Sequence, residues 1–206
     1  NAYFNPVNNE IVFPAAILQP PFYNYKADEA VNYGGIGAVI GHEISHCFDD
    51  SGARFDADGN LSNWWTDNDS EQFAVLGKKL VKQYSDVIAI DDVNLNGEFT
   101  LGENIGDLGG INAAYDGLQI FFEKNGRPED IDGFTAEQRF FMSWGTIWRT
   151  KMRDEALRNL IKTNEHSPGM YRAYMPLQNV ESFYAAFNIV EGDKMFLKPD
   201  DRVNIW

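Results

Sequence analysis

Residues 32–46 read N-Y-G-G-I-G-A-V-I-G-H-E-I-S-H, and the last five positions decide how the rest is read. His42-Glu43-Ile44-Ser45-His46 is an H-E-x-x-H motif. At about 100° per residue on a helix, His42 and His46 lie roughly 40° apart, so both imidazoles reach one metal ion. Glu43 lies about 100° from His42, within reach of a water on that ion without ligating it. Zinc-assisted hydrolysis of an amide needs this set. Two neutral nitrogens hold the ion, an open position keeps a water, and a carboxylate takes the water's proton. Chance is the competing explanation, yet two of the chain's 3 histidines fall in the motif.

Outward from the motif, Asp28 is a candidate N-cap for a helix running to about residue 50, closed by Gly52. Gly34, Gly35, Gly37 and Gly41 weaken that helix intrinsically, and close packing is their usual reason. The spacing therefore predicts a buried helix. Upstream, Tyr3-Phe4 and Ile11-Val12-Phe13 flank a turn-rich stretch and read as an edge hairpin. Pro14, Pro20 and Pro21 favour extended chain. Downstream, residues 53–65 read as loop. Helical periodicity recurs over about 67–86, 100–124, 135–151, 153–162 and 179–187. Residues 91–97 are turn-rich, and the chain after Gly192 is irregular. The fold class is α+β, mainly α-helical, in one domain over residues 1–206, with no repeat and no linker.

Zinc requires a third ligand. Glu103 and Asp107 stand at i and i+4 within L-G-E-N-I-G-D-L-G-G, on one helix face. The first can bind the ion, and the second can fix the tautomer of a ligand histidine. A solvated acidic face has the same spacing, but the glycine setting of Gly102, Gly106, Gly109 and Gly110 is unusual for one. Asp49 falls on the ligand side of the first helix and Asp50 nearer Glu43; either orients a histidine or merely ends the helix. His166 precedes a Pro-Gly turn, with Arg172 six residues on. This is either a surface loop or an oxyanion donor with a substrate clamp. Asp56-Ala57-Asp58-Gly59-Asn60 looks like a calcium loop, but the glycine and the closing glutamate are misplaced, so it reads as a turn.

The composition, 44% hydrophobic and 14% aromatic, describes a chain able to build a core. A formal net charge of −14 argues against nucleic acid and anionic membranes as partners. No apolar run is long enough to span a bilayer. The single cysteine, Cys47, excludes an internal disulfide framework and a multi-cysteine zinc site. The two sequons, at Asn60 and Asn68, read as loop sequence.

Together these motifs resemble the neprilysin-like zinc endopeptidases. The resemblance runs nearly end to end through N-A-Y-F, I-V-F-P-A-A-I-L-Q-P-P-F, the H-E-x-x-H segment, F-D-D-S-G, N-W-W-T, L-G-E-N-I-G-D-L-G-G, H-S-P-G-M-Y-R and the terminal tryptophan. It implies a zincin-like catalytic domain with one zinc held by His42, His46 and Glu103, and Glu43 as general base and acid. It implies that Asp107 orients a ligand histidine, with Asp49 in support. His166 would stabilise the oxyanion and Arg172 would hold a substrate carbonyl. Asn1 and Ala2 would pair with the backbone of a short peptide cut on the amino side of a bulky apolar residue. Family members are several hundred residues longer, so the chain reads as a C-terminal catalytic piece whose N-terminal lid lies elsewhere in the protein. Four positions depart from the family pattern. Cys47 replaces a small residue, and Gly106 stands harmlessly where alanine is common. Asn164 stands where an acid usually partners His166. The C-terminus lacks the cysteine of animal ectodomains, which implies a bacterial, cytoplasmic member, with a surface or secreted form left open. Two other classes compete: a silent peptide-binding module and a structural zinc domain. Intact Glu43 weighs against the first, and an open His2Glu set against the second.

Overall fold

A computed structural model describes residues 1–205. The motif helix begins at Asp28, whose carboxylate accepts from Ala30 N at 3.1 Å. It runs as α1 (Glu29–Asn32), a π-helical turn (Tyr33–Gly37), α2 (Ala38–Ser45) and a 3₁₀ turn (His46–Phe48). The predicted helix is therefore present but not uniform. The π turn gives Ile36 N a partner outside the helix, Phe22 O at 2.7 Å. Residues 14–22, expected to be extended, instead form successive turns, such as Ile17 N to Pro14 O and Phe22 N to Gln19 O. These turns bring Phe22 back against the helix.

The remaining elements are β1 (Tyr3–Asn5), β2 (Glu10–Val12), α3 (Asp67–Ser85), β3 (Ile88–Ile90), β4 (Val93–Asn94), α4 (Leu101–Asn125), α5 (Ala136–Ile147), α6 (Asp154–Thr163), α7 (Gly169–Tyr174) and α8 (Glu181–Phe187). β1 and β2 form the expected antiparallel hairpin, with Phe4 opposite Ile11. β3 and β4 make a second hairpin where only turns were expected; Asp91, at φ 52°, carries its turn. Local chemistry explains most boundaries. Thr66 caps α3. Thr135 and Gln138 form a reciprocal capping box on α5. That helix stops at Ile147, short of the expected 151. α7 was missed because Pro168-Gly169 reads as a turn, whereas Pro168 here precedes the first helical residue.

α4 is the axis of the molecule. Ile105, Leu108, Ile111 and Leu118 are fully buried, as sequence periodicity implied. The other sides of the helix are buried too: Asn104, Gly106, Asp107, Gly109, Gly110 and Ala114. Leu80 and Tyr84 from α3, and Phe140, Phe141 and Trp144 from α5, complete the core. α2 makes its most extensive contact with α4. The contact is backbone on backbone. A Cβ on Gly41 would stand 2.7 Å from Gly110 O, and one on Gly110 would stand 2.5 Å from His42 N. Only glycine allows that approach, and it sets His42 directly against the first two turns of α4. The architecture is mainly helical, as the sequence indicated.

Candidate metal centre

α2 supplies His42 and Glu43, and the following 3₁₀ turn supplies His46. α4 supplies Glu103 and Asp107 one turn apart. His42 Nε2 lies 3.2 Å from Glu103 Oε2, and His46 Nε2 lies 3.7 Å from Glu103 Oε1. One ligand atom from each of the three residues falls within 4.8 Å of the others. The outer nitrogens are held from behind. His42 Nδ1 is 2.9 Å from Asp107 Oδ1, and His46 Nδ1 is 2.7 Å from Asp49 Oδ2. Both rings therefore turn Nε2 inward, which suits a metal and fixes the tautomer. Glu103 Oε2 is buried without a hydrogen-bond partner, a lone-pair donor with an unmet need. Two imidazoles and a carboxylate with this support fit zinc.

Asp49 reaches His46 from beyond the helix rather than on it. Its backbone is extended, and its Oδ1 accepts from Ser51 N at 2.8 Å and Gly52 N at 2.6 Å. Asp107 is fully buried and shared. Besides His42 it takes a two-pronged bond from Arg172, Nε to Oδ2 at 2.8 Å and Nη2 to Oδ1 at 2.7 Å. Arg172 is thus committed first to Asp107, while still lining the cavity. Its guanidinium stacks 3.7 Å from the Trp148 ring centre. Gly106 is not a neutral replacement: a Cβ there would stand 2.8 Å from the His42 ring, so alanine would require that ring to shift.

The electrostatics follow from this packing. Burial alone would lower the His42 imidazole, but Asp107 and Glu103 override it and raise it to about 9 in the metal-free protein. Burial would raise Glu103, yet His166 and His42 hold it far below the usual carboxylate range. Burial raises Glu43, with His42 and His46 opposing. Burial also raises the Cys47 thiol, and Cys47 is not among the cavity-lining residues, so it does not crowd Glu43's side of the site.

The cavity, of about 480 Å³, is lined by His42, Glu43, His46, Glu103, His166 and Arg172, and by Asn1 and Ala2 at the start of the hairpin. Asp50 lines it too, its carboxyl raised by burial and by Asp49. His166 sits between α6 and α7 with Nε2 3.1 Å from Glu103 Oε2. Asn164 Oδ1 accepts from His166 N at 2.8 Å and pairs with Nδ1 at 2.9 Å. Sequence reasoning missed three supports. Ser167 Oγ bonds Asn104 Oδ1 at 3.0 Å and ties the His166 loop to α4. Trp148 places its ring under the Arg172 guanidinium. Aromatic side chains, including Phe22, Phe99 and Trp144, wall the cavity. A polar Asn104 within a buried helical stripe was the available signal for the first.

A family model described as peptidase family M13 matches residues 1–203. The chain belongs to peptidase family M13. Among relatives of this M13 chain, the neutral endopeptidase of Lactococcus lactis subsp. lactis (strain IL1403) is 42% identical over 206 residues, covering 100% of the chain and 31% of the relative. Endothelin-converting enzyme 1 of Homo sapiens is 40% identical over 208 residues, covering 100% and 27%. The solved zinc metalloprotease Zmp1 of Mycobacterium tuberculosis, in complex with an inhibitor, superposes with a TM-score of 0.97 at 50% identity, covering 100% of this chain and 32% of that one. The zincin-like expectation thus holds, and the M13 chain spans about a third of the length of these relatives. Among the described residues, no helix is long and apolar enough to cross a membrane.

Proposed function

We propose that residues 1–206 form the catalytic segment of a zinc-dependent endopeptidase that cuts short peptides on the amino side of a bulky apolar residue. The observation that carries this reading is the meeting of His42, His46 and Glu103 within 4.8 Å, with Glu43 in the same cavity. M13 membership and similarity to a zinc metalloprotease support it. His42, His46 and Glu103 would hold the ion; when bound, zinc supplies Lewis acidity, polarising a carbonyl and making water more acidic.

The chain's own residues do the rest. Glu43 takes a proton from the attacking water and returns it to the leaving amine. Burial raises its carboxyl, which brings the group nearer to serving both steps close to neutral pH. Asp107 and Asp49 hold the ligand rings in place. His166 donates from Nε2 to the developing oxyanion. Its Nδ1–H is committed to Asn164, so this donor is the imidazolium form. Arg172, over the Trp148 ring, offers its remaining guanidinium edge to a substrate carbonyl. Asn1 and Ala2 pair with the peptide backbone as an added strand beside β1. The aromatic wall suits the bulky apolar side chain. The lid implied by the family resemblance, and a bacterial cytoplasmic setting, belong to the same reading.

The test is Glu43→Gln in the full-length protein. Zinc content, measured by elemental analysis, should be unchanged, while turnover of a quenched peptide falls by about a hundredfold or more. Retained turnover removes Glu43 from the chemistry. A silent binding module would hold peptide without cleaving it even in the parent.

A further inference from the structure

The Asp56-Ala57-Asp58-Gly59-Asn60 turn and the N-W-W-T stretch after it have no part in the chemistry above, yet both are closely tied into the fold. Asp56 Oδ1 accepts from Asp58 N and Asn60 N, each at 3.0 Å, so this oxygen closes its own turn. Behind the turn, the Trp64 indole donates to Phe55 O at 2.9 Å and the Trp65 indole to Ala53 O at 3.0 Å. Ala53 N in turn donates to Asp49 O at 3.0 Å, which joins the turn to the segment that orients His46. The tip of the turn meets the β1–β2 hairpin. A Cβ on Gly59 would stand 1.9 Å from Val7 O and 2.6 Å from Val7 C, both in the hairpin's own turn, and Gly59 has a φ of +77°. Glycine alone allows that approach at that φ. Beside it, Asn9 Nδ2 donates to Ala57 O at 3.2 Å. The strand held in this way is β1, whose Tyr3 and Phe4 line the cavity together with Asn1 and Ala2 just before it.

We propose that this turn positions the substrate: Gly59 and Asn9 set the distance between the peptide-pairing edge at Asn1 and Ala2 and the metal centre. A two-stranded hairpin is marginal in water by itself, so its place must come from a tertiary contact. Here the contact leads back from the turn through Phe55 and Ala53 to Asp49. One continuous loop therefore refers the peptide edge and the His46 ring to a common frame. Displacing the hairpin moves the bound peptide backbone and leaves His42, His46, Glu103 and Glu43 in place. Loss of binding that substrate and transition state share raises KM and leaves kcat. Gly59 and Asn9 are thus positioning residues that act on KM without touching the peptide. The inference rests on the peptidase reading above, and on strand pairing at Asn1 and Ala2 in particular.

The experiment compares Gly59→Ala and Asn9→Gly with the parent, all in the full-length protein. Asn9 has a φ of 48°, so glycine there keeps the backbone and removes only the amide. The measurements are zinc content, kcat and KM for a quenched peptide, and hydrogen exchange of residues 1–13 by mass spectrometry. Gly59→Ala should raise KM about tenfold and Asn9→Gly about threefold, the weight of one exposed hydrogen bond, with kcat within about twofold of the parent. Zinc content should stay the same and hairpin exchange should quicken in both. Should Gly59→Ala fail to fold, Asn9→Gly carries the test. A parental KM in Asn9→Gly overturns the proposal, whether or not hairpin exchange quickens. A fall in kcat or zinc content with KM unchanged also overturns it, and makes the turn a support of the metal centre instead. A parent that turns over no peptide overturns the peptidase reading, and this proposal with it, before any variant is compared.

Discussion

Asp107 holds two cationic partners from one buried carboxylate: His42 at 2.9 Å and Arg172 through two bonds. Breaking a buried pair from one side strands the other charge, which costs about 3–5 kcal/mol. Asp107→Ala should therefore lower the denaturant midpoint by an amount equivalent to that, and weaken zinc binding about ten- to a hundredfold, as loss of a ligand's support does. Unchanged stability would mean that Arg172 finds another partner. The same carboxylate governs the charge of His42. Its folded value, about 9, is raised above the ordinary 6.5. The stabilisation from the charged ring is therefore complete below about 6.5 and is lost as pH rises through about 9. In chelator-treated protein, the His42 ring followed by NMR should titrate near 9, and Asp107→Asn should move it downward. An Asp107→Asn ring that still titrates near 9 would assign the shift to Glu103 alone.

The decisive contact between elements is the glycine crossing of α2 and α4. Gly41→Ala would place a methyl 2.7 Å from Gly110 O and 2.8 Å from Gly110 Cα, both backbone atoms that cannot rotate away. Overpacking of this kind costs about 1–3 kcal/mol. It must also move α2 away from Glu103, so stability and zinc affinity should fall together. Gly145, on α5, has nothing within 4 Å of an added Cβ. Gly145→Ala should leave zinc binding intact and stabilise the fold by roughly 0.5–1 kcal/mol, from helix propensity alone. Thermal melts and a chelator competition on both variants check the contrast; a Gly41→Ala protein with parental zinc affinity would mean that the crossing does not set the ligand spacing. α7 teaches the reverse lesson about legibility. Its one and a half turns are too short to stand on propensity, and they persist because Arg172 and Tyr171 are buried.

For the whole molecule, the formal net charge of −14 is concentrated usefully, since Glu43, Asp49, Asp50, Glu103, Asp107 and Glu165 all line one cavity. A negative cleft draws in cations and cationic peptides, and salt screens that attraction. Between low and physiological ionic strength, kcat/KM for a peptide carrying lysine or arginine should fall severalfold, and that for a neutral peptide of equal length should barely move. Equal salt dependence of the two would locate the charge effect away from the cleft. The sequence by itself determined the helical class, the N-terminal hairpin and the pairing of His42 with His46, because each depends on neighbours within one or two turns. It also singled out Glu103 and Asp107 as a pair at helical spacing. Only the tertiary structure decided which histidine each acid serves, that Arg172 is bound to Asp107, and that Asn164 turns His166 Nε2 toward Glu103. Those facts depend on how closely α2, α4 and the loop before α7 approach one another. That distance is fixed by Gly41 against Gly110 and by Ser167 on Asn104, contacts between residues about 60 or more apart in the chain that no local periodicity encodes.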